Sequence, residues 1–156
     1  MSFRNRVAII GRPNVGKSTL FNVITESRKA VVKDRPGVTR DIQIEPANWC
    51  GIEFDVIDTG GVTETQDTFS PLIKEQALEI IKSVHCLVVV MDGRAGLCPE
   101  DWDLFRIANQ SGKPFLVVVN KVDSFENEKI EMAKAEFYQL GVEDVIPAAF
   151  EKRWGI

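Results

Sequence analysis

Cysteine is scarce in this 156-residue chain: Cys50, Cys86 and Cys98 are an odd, widely spaced set with no CxxC pair. They read as structural thiols of a reduced, cytosolic protein rather than as a disulfide framework. The one histidine, His85, has no Cys or acid at ligand spacing and reads as structural or surface. Basic charge is also in short supply, with 19 Lys and Arg against 23 Asp and Glu and a net charge of −4. That argues against a domain gripping nucleic acid by summed charge, because phosphate neutralisation needs a basic surface. Long apolar runs are missing: Cys86–Met91 and Phe115–Val119 fall far short of the ~18 residues of a membrane span. Met1–Arg6 leads straight into an apolar strand, with no signal-peptide core. Internal repeats, low-complexity tracts and Pro/Gly-rich linkers are absent as well. What remains is one domain's worth of chain with ordinary globular composition, 44% hydrophobic and 27% charged.

Short β-branched runs alternate with helical patterns. Val7–Ile10, Leu87–Val90 and Phe115–Val119 are continuously apolar, as suits strands of a parallel sheet buried between two helical layers. Ile52, Phe54 and Val56 alternate with Glu53 and Asp55. That pattern predicts a half-buried strand, paired with residues 41–48 through a turn at Cys50-Gly51. Helical spacing runs from Lys17 to about Ser27 through Leu20, Phe21, Val23 and Ile24, and again through Phe69, Leu72, Ile73, Ile80 and Val84. Pro99 opens a third helix, with Glu100 and Asp101 in the first turn where the dipole favours them. Ser124 is placed to cap a fourth, with Ile130, Ala133, Phe137 and Leu140 facing inward. The order predicts an α/β fold of three layers, a mostly parallel six-stranded sheet with helices on both faces. Ligands of such sheets bind at the carboxyl ends of the strands.

The chemistry-bearing residues stand there. Gly11-Arg12-Pro13-Asn14-Val15-Gly16-Lys17-Ser18, followed by Thr19, matches GxxxxGK[ST] between a strand and a helix. Its glycines let successive N–H groups turn toward phosphate oxygens, and the helix N-terminus adds partial positive charge. Lys17 is expected to reach the β- and γ-phosphates and Ser18 to ligate Mg²⁺. Asn120-Lys121-Val122-Asp123 follows the buried run 115–119. A carboxylate at Asp123 accepts from both N1–H and the exocyclic amine of guanine, a donor pair adenine lacks, and unpaired polar groups give strong discrimination. Lys121 is expected along the base plane, and Asn120 is expected to tie this loop to the phosphate loop. Asp58-Thr59-Gly60-Gly61 offers a strand-end carboxylate for Mg²⁺ and a Gly61 N–H for a γ-phosphate, although DxxG alone is also an ordinary turn. Thr39, in Pro36–Asp41, has a hydroxyl that would complete the Mg²⁺ shell; taken alone it is a plain loop threonine.

Together the four motifs resemble the translation-factor-like branch of P-loop GTPases. Gly11–Asn22, Pro36–Asp41, Asp58–Gly61 and Val118–Asp123 look very like the Der (EngA) family, over essentially the whole chain and best in its first GTPase domain. Era-like and tRNA-modifying GTPases share the phosphate loop. The resemblance implies Mg²⁺-dependent hydrolysis of GTP to GDP and phosphate, in the cytoplasm, as a switch in large-subunit ribosome assembly. It implies a second GTPase domain and a KH-like domain beside this one in the full-length protein. Neither direct nucleic-acid binding nor a membrane is expected for this domain. The resemblance assigns Lys17, Thr39 and Gly61 to catalysis, and Ser18, Thr39 and Asp58 to Mg²⁺.

Val62, which cannot orient a water, follows Gly61 where Ras-like enzymes carry Gln. Members with Asn at the position of Asn14 commonly use K⁺ there, in the manner of an arginine finger, a device contributing roughly 10³–10⁵ in rate. The family's Ser-Ala pair after the sixth strand, whose Ala N–H meets guanine O6, is replaced by Ala149 and Phe150. Phe150 is therefore expected to stand as a bulky group beside the base. Family domains continue into one more helix, so residues 1–156 read as a single, truncated GTPase domain with apolar sheet surface uncovered. Trp49, Trp102 and Phe105 read as packing, and Lys29, Lys33, Arg35 and Arg40 as a mildly basic solvated stretch. Two rivals remain: a GTP-gated binding module with slow hydrolysis, and an ATP-using P-loop kinase.

Overall fold

The computed structural model describes residues 5–12, 14–25, 43–49, 52–59, 78–122 and 126–152. Pro13, Thr39, Gly60, Gly61, Asp123, Ser124, the Cys50-Gly51 turn and the basic stretch around residues 29–40 lie outside them.

Apolar runs become the strands β1 (Asn5–Gly11), β2 (Gln43–Trp49), β3 (Ile52–Asp58), β4 (Cys86–Asp92), β5 (Phe115–Asn120) and β6 (Ile146–Pro147). They form one sheet in the order β2-β3-β1-β4-β5-β6. Only β2 runs antiparallel, against β3; every other pairing is parallel. The crossovers carry α1 (Lys17–Ile24), a helical stretch at 78–83, α2 (Pro99–Gln110) and α3 (Asn127–Ala135). A tighter 3₁₀ turn, Glu136–Leu140, continues α3. The α/β fold with six strands is therefore the expected one.

Alternate residues of the central strands feed two cores. Ala8, Ile10, Leu87, Val89, Val117 and Val119 pack with Ile80, Ile81 and Ala108 on one face. Ile9, Val56, Val90 and Val118 pack with Leu20 and Phe21 of α1 on the other. Burial on both faces explains why these strands read as unbroken apolar runs.

Two details depart from the sequence expectation. Along β3 burial does not alternate but rises: Ile52 is 63% exposed, whereas Val56 and Ile57 are buried. Ile52 and Glu53 are exposed, whereas Val56 and Ile57 enter one core each. The N-cap position of α3 belongs to Glu126 rather than Ser124, with no side-chain cap. Beyond Ala135 the helix tightens and stops at Gly141, whose φ of 84° only glycine adopts readily. Phe137 and Leu140 are buried, as expected.

Candidate nucleotide site

Parallel registry sets the carboxyl ends of the strands side by side. Ile9 is level with Asp58, and Asp92 with Asn120. The phosphate-loop motif joins β1 to α1 at this edge. Asn14 (φ 67°) and Gly16 (φ 107°) are left-handed, which curls the loop tightly. A Cβ on Gly11 would lie 2.7 Å from the Val90 carbonyl oxygen, and one on Gly16 would overlap the Asn120 amide. Both positions therefore require glycine.

Lys17 is 1% exposed. Its ammonium donates to the carbonyls of Gly11 (3.0 Å) and Arg12 (2.6 Å), so the loop wraps its own cation. Ser18 Oγ donates to Asp58 Oδ2 at 3.3 Å, bringing two of the three expected Mg²⁺ ligands together. Hard oxygens on a strand end and a helix start suit Mg²⁺. Val15 is buried in the core beneath the loop, and Thr19 lies within the first turn of α1.

Asn120 joins three segments. Its Nδ2 donates to the Val15 carbonyl (2.9 Å), and its Oδ1 accepts the Phe150 N–H (2.9 Å), with the side chain 3% exposed. This is the expected tie between base loop and phosphate loop. Lys121, itself left-handed (φ 65°), sends its ammonium to the Asn14 carbonyl (2.7 Å) and Asp92 Oδ2 (2.9 Å). Only the aliphatic stem of Lys121 is left to lie along a base plane.

Phe150 does not stand out beside a base. Its ring is 2% exposed and packs among Val15, Leu20, Phe21 and Ala148. A buried Phe ring gains about 1.5–3 kcal/mol by leaving water, so the residue turns inward and supports the loop from below. Its N–H, expected at guanine O6, is donated to Asn120. Ala149 is buried alongside.

Three participants escaped sequence reasoning. Thr59 donates its hydroxyl to the Ile9 carbonyl (2.7 Å), pinning the end of β3 to β1. Asp92 accepts from Lys121 and from the Arg94 and Ala95 N–H groups. Burial would raise its pKa, but the Lys121 and backbone hydrogen bonds outweigh that and leave it lowered. Asp101 accepts from Arg12 Nε (3.1 Å) and the Cys98 N–H (2.9 Å), and burial is the leading cause of its raised pKa. The only local hints were an acid at a strand end and an acid in the first turn of a helix.

The remaining candidates are structural. His85 accepts the Arg6 N–H, and Trp102 and Phe105 pack against the larger core. Among the described residues no cluster of three His, Cys, Asp or Glu could hold a metal, and no helix is long and apolar enough to cross a membrane.

A family model described as 50S ribosome-binding GTPase matches residues 6–121. The chain is 47% identical to GTPase Der of Persephonella marina over 97% of its own length and 33% of the relative's. Against GTPase Der of Aquifex aeolicus the identity is 44%, over 97% and 35%. It thus spans about a third of the length of these curated relatives. Among solved structures, Aquifex aeolicus Era bound to GDP and AlF4⁻ superposes with a TM-score of 0.76 at 24% identity, covering 97% of this chain and 52% of that one. The FeoB G-domain from Methanococcus jannaschii gives 0.64 at 25%, covering 99% and 91%. Era shows the fold alone; the family match from residue 6 to residue 121 goes further, and the chain belongs to the 50S ribosome-binding GTPase family.

Proposed function

We propose that this domain binds guanine nucleotides and hydrolyses GTP to GDP and phosphate. The observation that carries the reading is the Asn120 side chain, which fastens the phosphate loop to the base loop and makes one site of two motifs 105 residues apart. Gly11 to Thr19 would cradle the phosphates, with Lys17 turning from the loop carbonyls toward the β- and γ-oxygens. Ser18 and Asp58, with Thr39, would hold Mg²⁺, which supplies charge neutralisation to the phosphates. Gly61 would donate its N–H to the γ-phosphate. Asp123 would select guanine, with the stem of Lys121 along the ring and the Ala149–Phe150 segment behind it.

No side chain is needed as a general base, because positioning and charge neutralisation dominate phosphoryl transfer. Asn14 is exposed on the loop, where its amide oxygen would meet K⁺. The family's description favours a switch that engages the large ribosomal subunit, and the one-third coverage of the relatives favours a longer protein, in which the resemblance implies a second GTPase domain and a KH-like domain. The thiols of Cys86 and Cys98 fit a reducing cytoplasm.

Titration with GDP and ADP tests the reading. GDP binds more tightly, and Asp123→Asn moves the preference toward xanthosine diphosphate, whose C2 oxygen accepts from the new amide. ADP binding as tight as GDP would sink it. Replacing Na⁺ by K⁺ at constant ionic strength raises turnover; equal rates remove the K⁺ role alone.

A further inference from the structure

We propose that Asp101, 89 residues from the phosphate loop in sequence, is a positioning residue for that loop and acts through Arg12. The inference rests on the loop being a phosphate site, but not on which base is bound.

Arg12 is the second residue of the loop. Its carbonyl accepts from the Lys17 ammonium at 2.6 Å, while its guanidinium Nε donates to Asp101 Oδ1 at 3.1 Å. One residue thus links the phosphate-binding lysine to the start of α2. Asp101 is 1% exposed and the Arg12 side chain 17% exposed, so the pair is largely removed from solvent. Arg12 Nη2 is buried without a hydrogen-bond partner. Among the described residues, Asp101 is the one carboxylate paired with this guanidinium. Removing one member of a buried pair leaves an uncompensated charge, so Arg12 would have to leave its place. The Arg12 carbonyl would move with it, and that carbonyl orients Lys17.

Asp101 also accepts the Cys98 N–H through Oδ2 at 2.9 Å, closing the first turn of α2. A purely structural role would stop at this cap. The two roles separate because Asp101→Asn keeps one amide oxygen to accept the Cys98 N–H, while the NH₂ that takes the place of Oδ1 carries no charge and cannot accept from Arg12. The Arg12 side chain is committed to α2 rather than to the phosphate side of the loop. Its contribution is therefore to loop geometry, not to direct charge on the nucleotide.

The test measures binding of nucleoside diphosphate and monophosphate to wild type, Asp101→Asn, Arg12→Gln and the double variant. Asp103→Asn, which removes an exposed pair with Arg106 on the same helix, serves as control. Each single variant weakens diphosphate binding about tenfold, and the double variant stays within about threefold of either, because contacting residues couple rather than add. The ratio of diphosphate to monophosphate affinity falls, since the loop holds the phosphates; the control stays within about twofold of wild type. Arg12→Lys, which keeps the charge without the planar fork, falls between wild type and Arg12→Gln. Three results would overturn the proposal: Asp101→Asn binding like wild type, losses that multiply to about a hundredfold, or equal loss for both phosphate lengths. A wild type preferring ADP would defeat the guanine reading and leave this one standing. A wild type that binds neither diphosphate defeats both.

Discussion

The two ends of the sheet are built differently. At the carboxyl ends of the strands stand all of the buried polar residues among those described: Lys17, Asp58, Thr59, Asp92, Asp101 and Asn120. Nearly every one is tied to another strand end or loop. At the opposite end none of these buried polar residues stands. Ile52 is 63% exposed and Leu116 49% exposed. The polar ties there cap chain ends, as when the Lys113 ammonium collects the carbonyls of Ile81, Lys82 and Val84. Burying a polar group costs free energy unless it is hydrogen-bonded. A chain that concentrates such groups at one edge is shaping that edge for something other than stability. The amino edge teaches the converse, that exposed apolar residues are tolerated where nothing has to be positioned.

Substitutions at the two edges should sharpen the contrast. The largest effect is expected for Phe150→Ala, which empties the space below the loop and lowers unfolding free energy by about 3–5 kcal/mol; urea denaturation reads it. Asn120→Ala strands the Val15 carbonyl and the Phe150 N–H, and costs about 2–3 kcal/mol of stability. It also separates the two halves of the site, so GDP affinity measured by calorimetry should fall by a larger factor than the stability loss implies. At the amino edge, Leu116→Gln should change stability by no more than about 0.5 kcal/mol. A large loss there would break the comparison.

The pH dependence gives the smallest signal. The Asp92 carboxyl titrates below its usual value when folded, so its pairing with Lys121 contributes stability above the unfolded-state pKa. That contribution is lost as pH falls through the lowered value. Melting curves of wild type and Asp92→Asn should therefore converge toward acid and part near neutrality. Parallel curves across the range would mean that the charge of Asp92 contributes nothing to stability.

Much of this edge was legible in one dimension. The phosphate-loop motif is contiguous, and its glycines are required by local backbone angles and by close approach, so eight residues suffice to announce it. The buried runs declared parallel strands because both of their faces are covered. The β3 pattern misled because alternation reports the two faces of a strand and not how burial changes along its length. Phe150 misled for a related reason. Its backbone position follows from β6, whereas the direction of its ring depends on a cavity shaped by Val15, Leu20 and Phe21.

The sequence by itself determined the element order and the strand-end placement of the motifs, because each is encoded in neighbouring residues and short periods. Only the tertiary structure decided that Lys121 would meet Asp92, that Asp101 would take Arg12, and that Asn120 would close the loop onto Phe150. Those partners lie 29, 89 and 30 residues apart. No local preference selects them; they meet because parallel strands deliver their carboxyl ends to one edge, where each buried polar group must find its partner.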